Sequence, residues 1–234
     1  MKRYSTIDFI HEPPTKQNYV LSVDDDENDI KNAEKYIEFQ TIPEYNNIIF
    51  LDVSRCVLNR LIYLPQSLKI LICSYNYLSD LPTLPNSLEK LDCEKNDLSS
   101  LPPLPNSLKI LYCQSNKLSS LPELPKSLTN LNCKSNNLTK LPNLPFKIQN
   151  LNCQKNKLTK LPELPNRIVE LICSVNNISH IKIIPKSLKT FRCHHNHIMY
   201  FPEIPNTLTT IEFHDNMLIT EENYCMNYLE IICL

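Results

Sequence analysis

The chain contains no glycine and no tryptophan. Without glycine there is no phosphate-cradling loop, so neither a Walker motif nor a dinucleotide fingerprint is available. The strained G-x-S-x-G nucleophile turn is excluded on the same ground. Charge of one sign is lacking too: the net value is -1 over 234 residues, which draws the protein neither to nucleic acid nor to an anionic membrane. No run approaches the roughly 18 apolar residues that span a bilayer. The opening MKRYSTIDFIHEPP is basic but has no apolar run behind it, so it does not read as a secretory signal. The expected location is therefore intracellular, in a reducing cytoplasm where thiols stay free.

Proline and cysteine are abundant instead, with 18 and 10 residues, and both recur at a fixed period. "LPNSLEKLDCEKNDLSS" begins at Leu84, and "LPNSLKILYCQSNKLSS" begins twenty residues later at Leu104. The unit is L-P-x-L-P-x-S-L-x-x-L-x-C-x-x-N-x-L-x-x. Its centre runs Leu68-x-x-Leu71-x-Cys73-x-x-Asn76-x-Leu78 and returns with cysteine at Cys93, Cys113, Cys133, Cys153, Cys173 and Cys193. Val53 precedes that series in phase and Phe213 follows it. Cys56 stands where later units place asparagine. A fixed period of this length signals a solenoid of stacked supersecondary units.

The unit resembles the leucine-rich repeat, L-x-x-L-x-L-x-x-N/C-x-L, over residues 48–218. The LPxLP half is similar to the short-repeat class of IpaH- and YopM-type bacterial effectors and of leucine-rich repeat proteins from giant DNA viruses. This chain departs from the effector pattern by using cysteine where valine is usual, and its Asn-, Lys- and Ile-rich composition suits an AT-rich genome such as a giant virus. The resemblance implies an α/β-type leucine-rich repeat solenoid, or horseshoe, with a parallel β-sheet on the concave face. The convex side would be extended or polyproline II, and a short helical cap would cover the N-terminal end. A viral member would act in the host cytoplasm.

Elementary geometry reaches the same architecture. Side chains alternate along a strand, so Leu71 and Cys73 are expected to face inward while Ile70, Ile72 and Ser74 face out. Two prolines per unit favour an extended return path over a helix. Each asparagine falls where the chain leaves the strand, and its amide is expected to satisfy buried backbone groups of neighbouring coils. Residues 1–22 read as a mobile N-terminus and 23–40 as a capping helix. In the latter, Ile30, Ala33 and Ile37 share one face behind an acidic start. The solenoid is placed at 41–220, followed by a C-terminal cap at 221–234. There Tyr228-x-x-Ile231-x-Cys233 returns in phase and predicts a tenth strand.

The cysteine column is expected to be core. A free cysteine behaves as a small buried hydrophobe. Equivalent Cβ atoms on adjacent parallel strands lie about 4.8 Å apart, beyond the usual disulfide range. A linear column cannot surround zinc, and no C-x-x-C is present. CHHNH supplies His194, His195 and His197, with His214 beside His194 in the repeat; two or three imidazoles could hold a metal. Asp215 and Glu212 are near, but no carboxylate or cysteine obviously completes a site, so the cluster reads as a titratable surface and no metal or cofactor is expected. The run Asp24, Asp26, Asn28 fails as a calcium loop, because Asp29 stands where glycine is needed and Lys35 where glutamate closes the loop.

No catalytic constellation has a cleft to sit in. The effectors that this chain resembles can carry a ubiquitin-ligase domain after the repeats, and the residues after Leu218 are too few for one. The expected function is a non-enzymatic scaffold that binds a protein partner, and neither nucleic acid nor membrane, on the sheet face. The outward positions proposed to carry it are Phe50, Ile70, Ile72, Ile110 and Tyr112, with Tyr75 at a strand exit and Asp92 and Glu94 between them. Arg192, His194 and His214 lie at the far end. Anchors of this kind with a polar surround suit an interface centre. The alternatives are an adaptor presenting a partner to another enzyme such as a ubiquitin ligase, and a metal- or redox-responsive protein built on the thiols and histidines.

Overall fold

The computed structural model describes residues 45–218, together with the backbone of two short strands, β1 (Asn18–Val20) and β2 (Tyr36–Ile37). The chain divides into two compact units, Met1–Lys117 and Leu118–Leu234. In the first unit the strands are β3 (Phe50–Asp52), β4 (Arg60–Leu61), β5 (Ile70–Ile72), β6 (Lys90–Asp92) and β7 (Ile110–Tyr112). Strand β1 pairs with β3, β3 with β5, β5 with β6 and β6 with β7, all parallel. Strands β2 and β4 form a separate parallel pair. The second unit repeats the design with β8 (Asn130–Asn132), β9 (Asn150–Asn152), β10 (Glu170–Ile172), β11 (Thr190–Arg192) and β12 (Thr210–Glu212). These strands pair in sequence order, again parallel.

Every pairing in the second unit matches residues twenty apart, such as Leu151 with Leu171 and Phe191 with Ile211. The period therefore becomes register, and register stacks like on like. Leu71, Leu91 and Leu111 are fully buried in one unit, as are Leu151, Leu171 and Phe191 in the other. Hydrogen bonding continues past each strand: Cys73 N–H donates to Asp92 O at 2.8 Å and Tyr75 N–H to Glu94 O at 3.0 Å. No helix occurs on the return path from Leu81 to Pro85. A turn follows, closed by Leu88 N–H on Pro85 O at 3.1 Å, and the same bond recurs at Leu108, Leu128, Ile148, Ile168 and Leu188. At the last described coils Phe201 meets Phe191 and Phe213 edge-on, with centroids 6.2 and 5.7 Å away, and fills with rings the space held elsewhere by leucine and cysteine.

The asparagine of each coil satisfies backbone groups as expected. The Asn156 Nδ2 donates to Cys133 O of the preceding coil at 3.0 Å and to Cys153 O and Gln154 O of its own at 3.1 and 3.3 Å. Its Oδ1 accepts from Leu138 N–H at 3.0 Å. Asn76 and Asn176 repeat the scheme. A second ladder went unread in the sequence. The serine of the P-x-S-L segment caps the coil before it: Ser87 Oγ donates toward Gln66 O and Leu68 O, both at 2.7 Å.

Three features differ from the sequence reading. Ser74, expected to face solvent, is buried, and Ser174 is fully so. The ladder sets Ser174 between the longer Gln154 and His194, and its hydroxyl is buried. Tyr36–Ile37, expected in the capping helix, pairs as strand β2 with Arg60–Leu61. Asn18–Val20, expected to be mobile, pairs with Phe50–Asp52. The remainder of the capping helix, the rest of the N-terminal segment, and the tenth strand with Cys233 lie outside the described residues.

The cysteines hold the place assigned to them. Cys73, Cys93, Cys113, Cys133, Cys153, Cys173 and Cys193 are thiols with no accessible surface, and Cys56 is nearly as covered. Burial pushes the Cys153 thiol up to about 12, and burial chiefly raises Cys73 well above its ordinary range, aided by Cys93, Asp92 and Asp52. A maleimide or disulfide reagent needs a thiolate that it can reach. The native protein is therefore expected to leave these eight thiols unlabelled at pH 7.5 and to expose them in denaturant, as a mass-spectrometric count will show. Labelling of Cys133 or Cys153 at the rate of a free peptide thiol would contradict the packing.

Candidate interaction surface

The sheet of the first unit presents its non-core side chains in rows. Pairing aligns Phe50, Ile70, Lys90 and Ile110 in one row, and Asp52, Ile72, Asp92 and Tyr112 in the next. All are half-buried, while the leucine between each pair of row positions is core. Ile70 and Ile110 thus flank the aliphatic stem of Lys90, and Ile72 and Tyr112 flank Asp92. The Lys90 ammonium sits 5.6 Å from the Tyr112 ring centroid.

At the strand exit, Tyr75 is held between two cations, with the Arg55 guanidinium 4.2 Å and the Lys95 ammonium 4.4 Å from its ring. Neither cation was singled out from the sequence. The signal was there: Arg55, Tyr75 and Lys95 occupy the same repeat position, so a column at period twenty alternates cation, ring, cation. These residues also share a left-handed backbone, with φ of 56° at Arg55, 56° at Tyr75 and 48° at Lys95. Glycine would take that conformation freely, and other residues hold it at a cost of about 1–2 kcal/mol. In this glycine-free chain the asparagine after Tyr75 and after Lys95 fixes the bend by binding the carbonyls around it, and after Arg55 the Cys56 thiol donates to Ser54 O at 3.3 Å.

Acidic groups run through the same surface. Asp92 accepts the Glu94 N–H at 3.3 Å, and partial burial holds its carboxyl above the ordinary carboxylate range. Glu94 accepts a hydrogen bond from the Gln114 amide. Asp52 accepts the Ser54 N–H at 2.9 Å. The site is therefore an apolar and aromatic patch crossed by a half-desolvated carboxylate, and it contains no nucleophile paired with a base.

The structure does not gather all the proposed residues. Phe50, Ile70, Ile72, Tyr75, Asp92, Glu94, Ile110 and Tyr112 belong to the first unit, whereas Arg192, His194 and His214 belong to the second. There Arg192 Nε pairs with Glu212 at 3.0 Å. His194 and His214 stack with centroids 4.6 Å apart and planes 8° from parallel. His195 joins them edge-on, and Asp215 Oδ2 accepts from His214 Nδ1 at 2.8 Å and lies 3.0 Å from His195 Nδ1. Burial, then the neighbouring imidazoles of His214 and His195, hold His194 below the ordinary histidine range. The hydrogen bond from His214 lowers Asp215.

No protein-family model matches the chain, and none of the curated proteins does. Solved structures do. YopM from Yersinia enterocolitica superposes with a TM-score of 0.74 at 36% identity, over 74% of this chain and 39% of that one. The leucine-rich repeat domain of a Shigella effector gives 0.61 at 38% identity, over 64% of this chain and 70% of that domain. The functional domain of InlJ from Listeria monocytogenes, which includes a cysteine ladder, gives 0.54 at 28% identity over 66% of this chain and 41% of that one. This chain spans 39% of the length of the YopM chain. With the twenty-residue period, the parallel ladder and these likenesses together, the chain belongs to the leucine-rich repeat proteins of the YopM type.

Proposed function

We propose that this protein is a non-enzymatic interaction scaffold whose protein partner docks on the sheet face of the first unit. The observation that carries this reading is the patch of Ile70, Ile72, Ile110 and Tyr112 in two adjoining rows, beside a Tyr75 ring held by Arg55 and Lys95. A fixed aromatic ring loses little conformational freedom on binding, and aromatic anchors supply most of the energy at protein interfaces. The half-desolvated Asp92 adds selectivity, since a partner that covers it without a donor leaves a carboxylate buried and unpaired. The effector repeat domains to which the chain is similar support a binding role in place of a catalytic one.

The test is a comparison of two faces of one unit. A partner is captured with the full chain and purified, and its affinity for variants is measured by calorimetry. Ile72→Asp and Tyr112→Asp are expected to weaken binding by about thirtyfold or more, the effect of losing a hot spot worth about 2 kcal/mol. Asp80→Lys and Thr83→Lys, on exposed positions of the return path, are expected to leave it within about twofold. All four variants keep their unfolding midpoints, because none of these side chains belongs to the core. If the return-path changes abolish binding and the sheet-face changes do not, the partner uses the opposite surface and the assignment is wrong.

A further inference from the structure

The second unit holds a cluster that the interaction surface does not use. His194, His195 and His214 each offer a ligand atom within 4.8 Å of the other two. Two consecutive coils build it. His194 and His214 occupy the same repeat position, so the parallel ladder stacks their rings. His195 and Asp215 occupy the next position, where the backbone is left-handed at φ of 55° and 54°. The ladder runs directly beneath them: His195 N–H donates to His214 O at 3.0 Å and Asn196 N–H to Asp215 O at 3.2 Å. Asn196 Nδ2 then binds Cys173 O and Cys193 O at 3.1 and 3.0 Å. The four side chains therefore project from ordered backbone.

We propose that His194, His195 and His214 bind a divalent transition metal ion of the zinc class, with Asp215 as the carboxylate that orients the His214 imidazole. Three observations point there. His194 Nδ1 and His195 Nδ1 face each other at 3.2 Å. Two imidazole nitrogens at that distance need one proton or one cation between them, because two lone pairs repel and two N–H groups collide. Tetrahedral zinc with bonds of about 2.0–2.1 Å sets its ligand atoms roughly 3.3 Å apart, so the cluster closes around an ion through small ring rotations of the exposed His195 and His214. Imidazole ligands generally carry an outer carboxylate that fixes tautomer and ring direction. Asp215 holds His214 Nδ1, which leaves that ring's other nitrogen for the ion, while His195 Nδ1 exchanges its contact with Asp215 for the metal. Glu212 is engaged by Arg192, which leaves Asp215 as the carboxylate of the cluster. This supplies the carboxylate that the sequence reading set aside as merely near.

The proposal is tested on the full chain, stripped with chelator and titrated with zinc by calorimetry in a reducing buffer without competing ligands. One equivalent is expected to bind with a micromolar or tighter dissociation constant. His195→Gln and His214→Gln are each expected to weaken it by roughly a hundredfold or more, and Asp215→Asn by about tenfold. His180→Gln and His197→Gln, outside the cluster, should change it by less than about threefold. Cobalt(II) should give the visible bands of a four-coordinate nitrogen site, without the near-ultraviolet charge-transfer band of thiolate ligation. The exposed His195 and His214 are not part of the core, so their variants should keep the wild-type urea midpoint in the absence of metal. The proposal is overturned if no one-equivalent binding saturates, if the triple His194→Gln, His195→Gln, His214→Gln variant still binds, or if cobalt shows thiolate bands.

Discussion

Raising the pH from 7.5 to 9.5 is expected to cost the second unit roughly 5 kcal/mol of stability, because its core carries Cys133, Cys153, Cys173 and Cys193. Burial raises all four thiols: Cys153 to about 12, and the other three well above their ordinary range. In the unfolded chain a thiol titrates near about 8.5. The folded protein therefore keeps protons that the unfolded chain sheds. The contribution is fully present below about pH 8.5 and is lost as pH climbs from there toward the folded value. One unit above 8.5, each thiol accounts for about 1.4 kcal/mol. The four together approach the roughly 5–15 kcal/mol that holds a typical domain folded.

Urea unfolding at pH 7.5, 8.5 and 9.5, in reducing buffer, measures this directly. The wild-type midpoint should fall steeply over the last interval. A variant carrying valine at all four positions should fall much less, since valine has no proton to lose. Valine is already native at the equivalent position of an earlier coil, where Val53 is fully buried, so the exchange keeps the packing. Equal slopes in the two proteins would place the alkaline sensitivity elsewhere and remove the ladder from the explanation. A solenoid cored with cysteine thus differs from one cored with valine mainly above pH 8.5.

The architecture was legible because one period set everything that depends on phase. Leucine at Leu71, cysteine at Cys73 and asparagine at Asn76 recur at the same spacing, and each has a single role when coils stack. Side-chain direction alone was less reliable. Ser74 and Ser174 point outward by alternation and are nevertheless buried. The left-handed position was missed because it carries no common residue type: arginine, tyrosine, lysine, serine, valine, histidine and aspartate all hold it. That same position contains Arg55 and Lys95 against Tyr75, so the two cations went unseen with it, whereas His195 and Asp215 were legible from the histidine cluster. Strand β2 was missed because Ile30, Ala33 and Ile37 match a helical stripe, while a two-residue pairing with Arg60–Leu61 leaves no period to detect.

Replacing Asn156 with alanine is expected to destabilise the second unit by about 3 kcal/mol, and replacing the exposed Lys157 by no more than about 0.5 kcal/mol. The Asn156 amide donates to Cys133 O, Cys153 O and Gln154 O and accepts from Leu138 N–H, all within 3.3 Å. Alanine strands a buried donor and weakens the satisfaction of buried carbonyls, each loss worth about 1–3 kcal/mol. Aspartate is the sharper probe, being the same shape. It still accepts from Leu138, but it sets a carboxylate against three carbonyl oxygens where the amide had donated. At pH 7, Asn156→Asp should therefore be less stable than Asn156→Ala. Its folded-state carboxyl is raised by that crowding, so stability should return as the pH falls through the raised value and the acid regains a donor. Urea midpoints at pH 7 and pH 5 read the difference. An alanine variant no weaker than Lys157→Ala, or an aspartate variant whose midpoint is the same at both pH values, would mean that the ladder of asparagines decorates the coils without joining them.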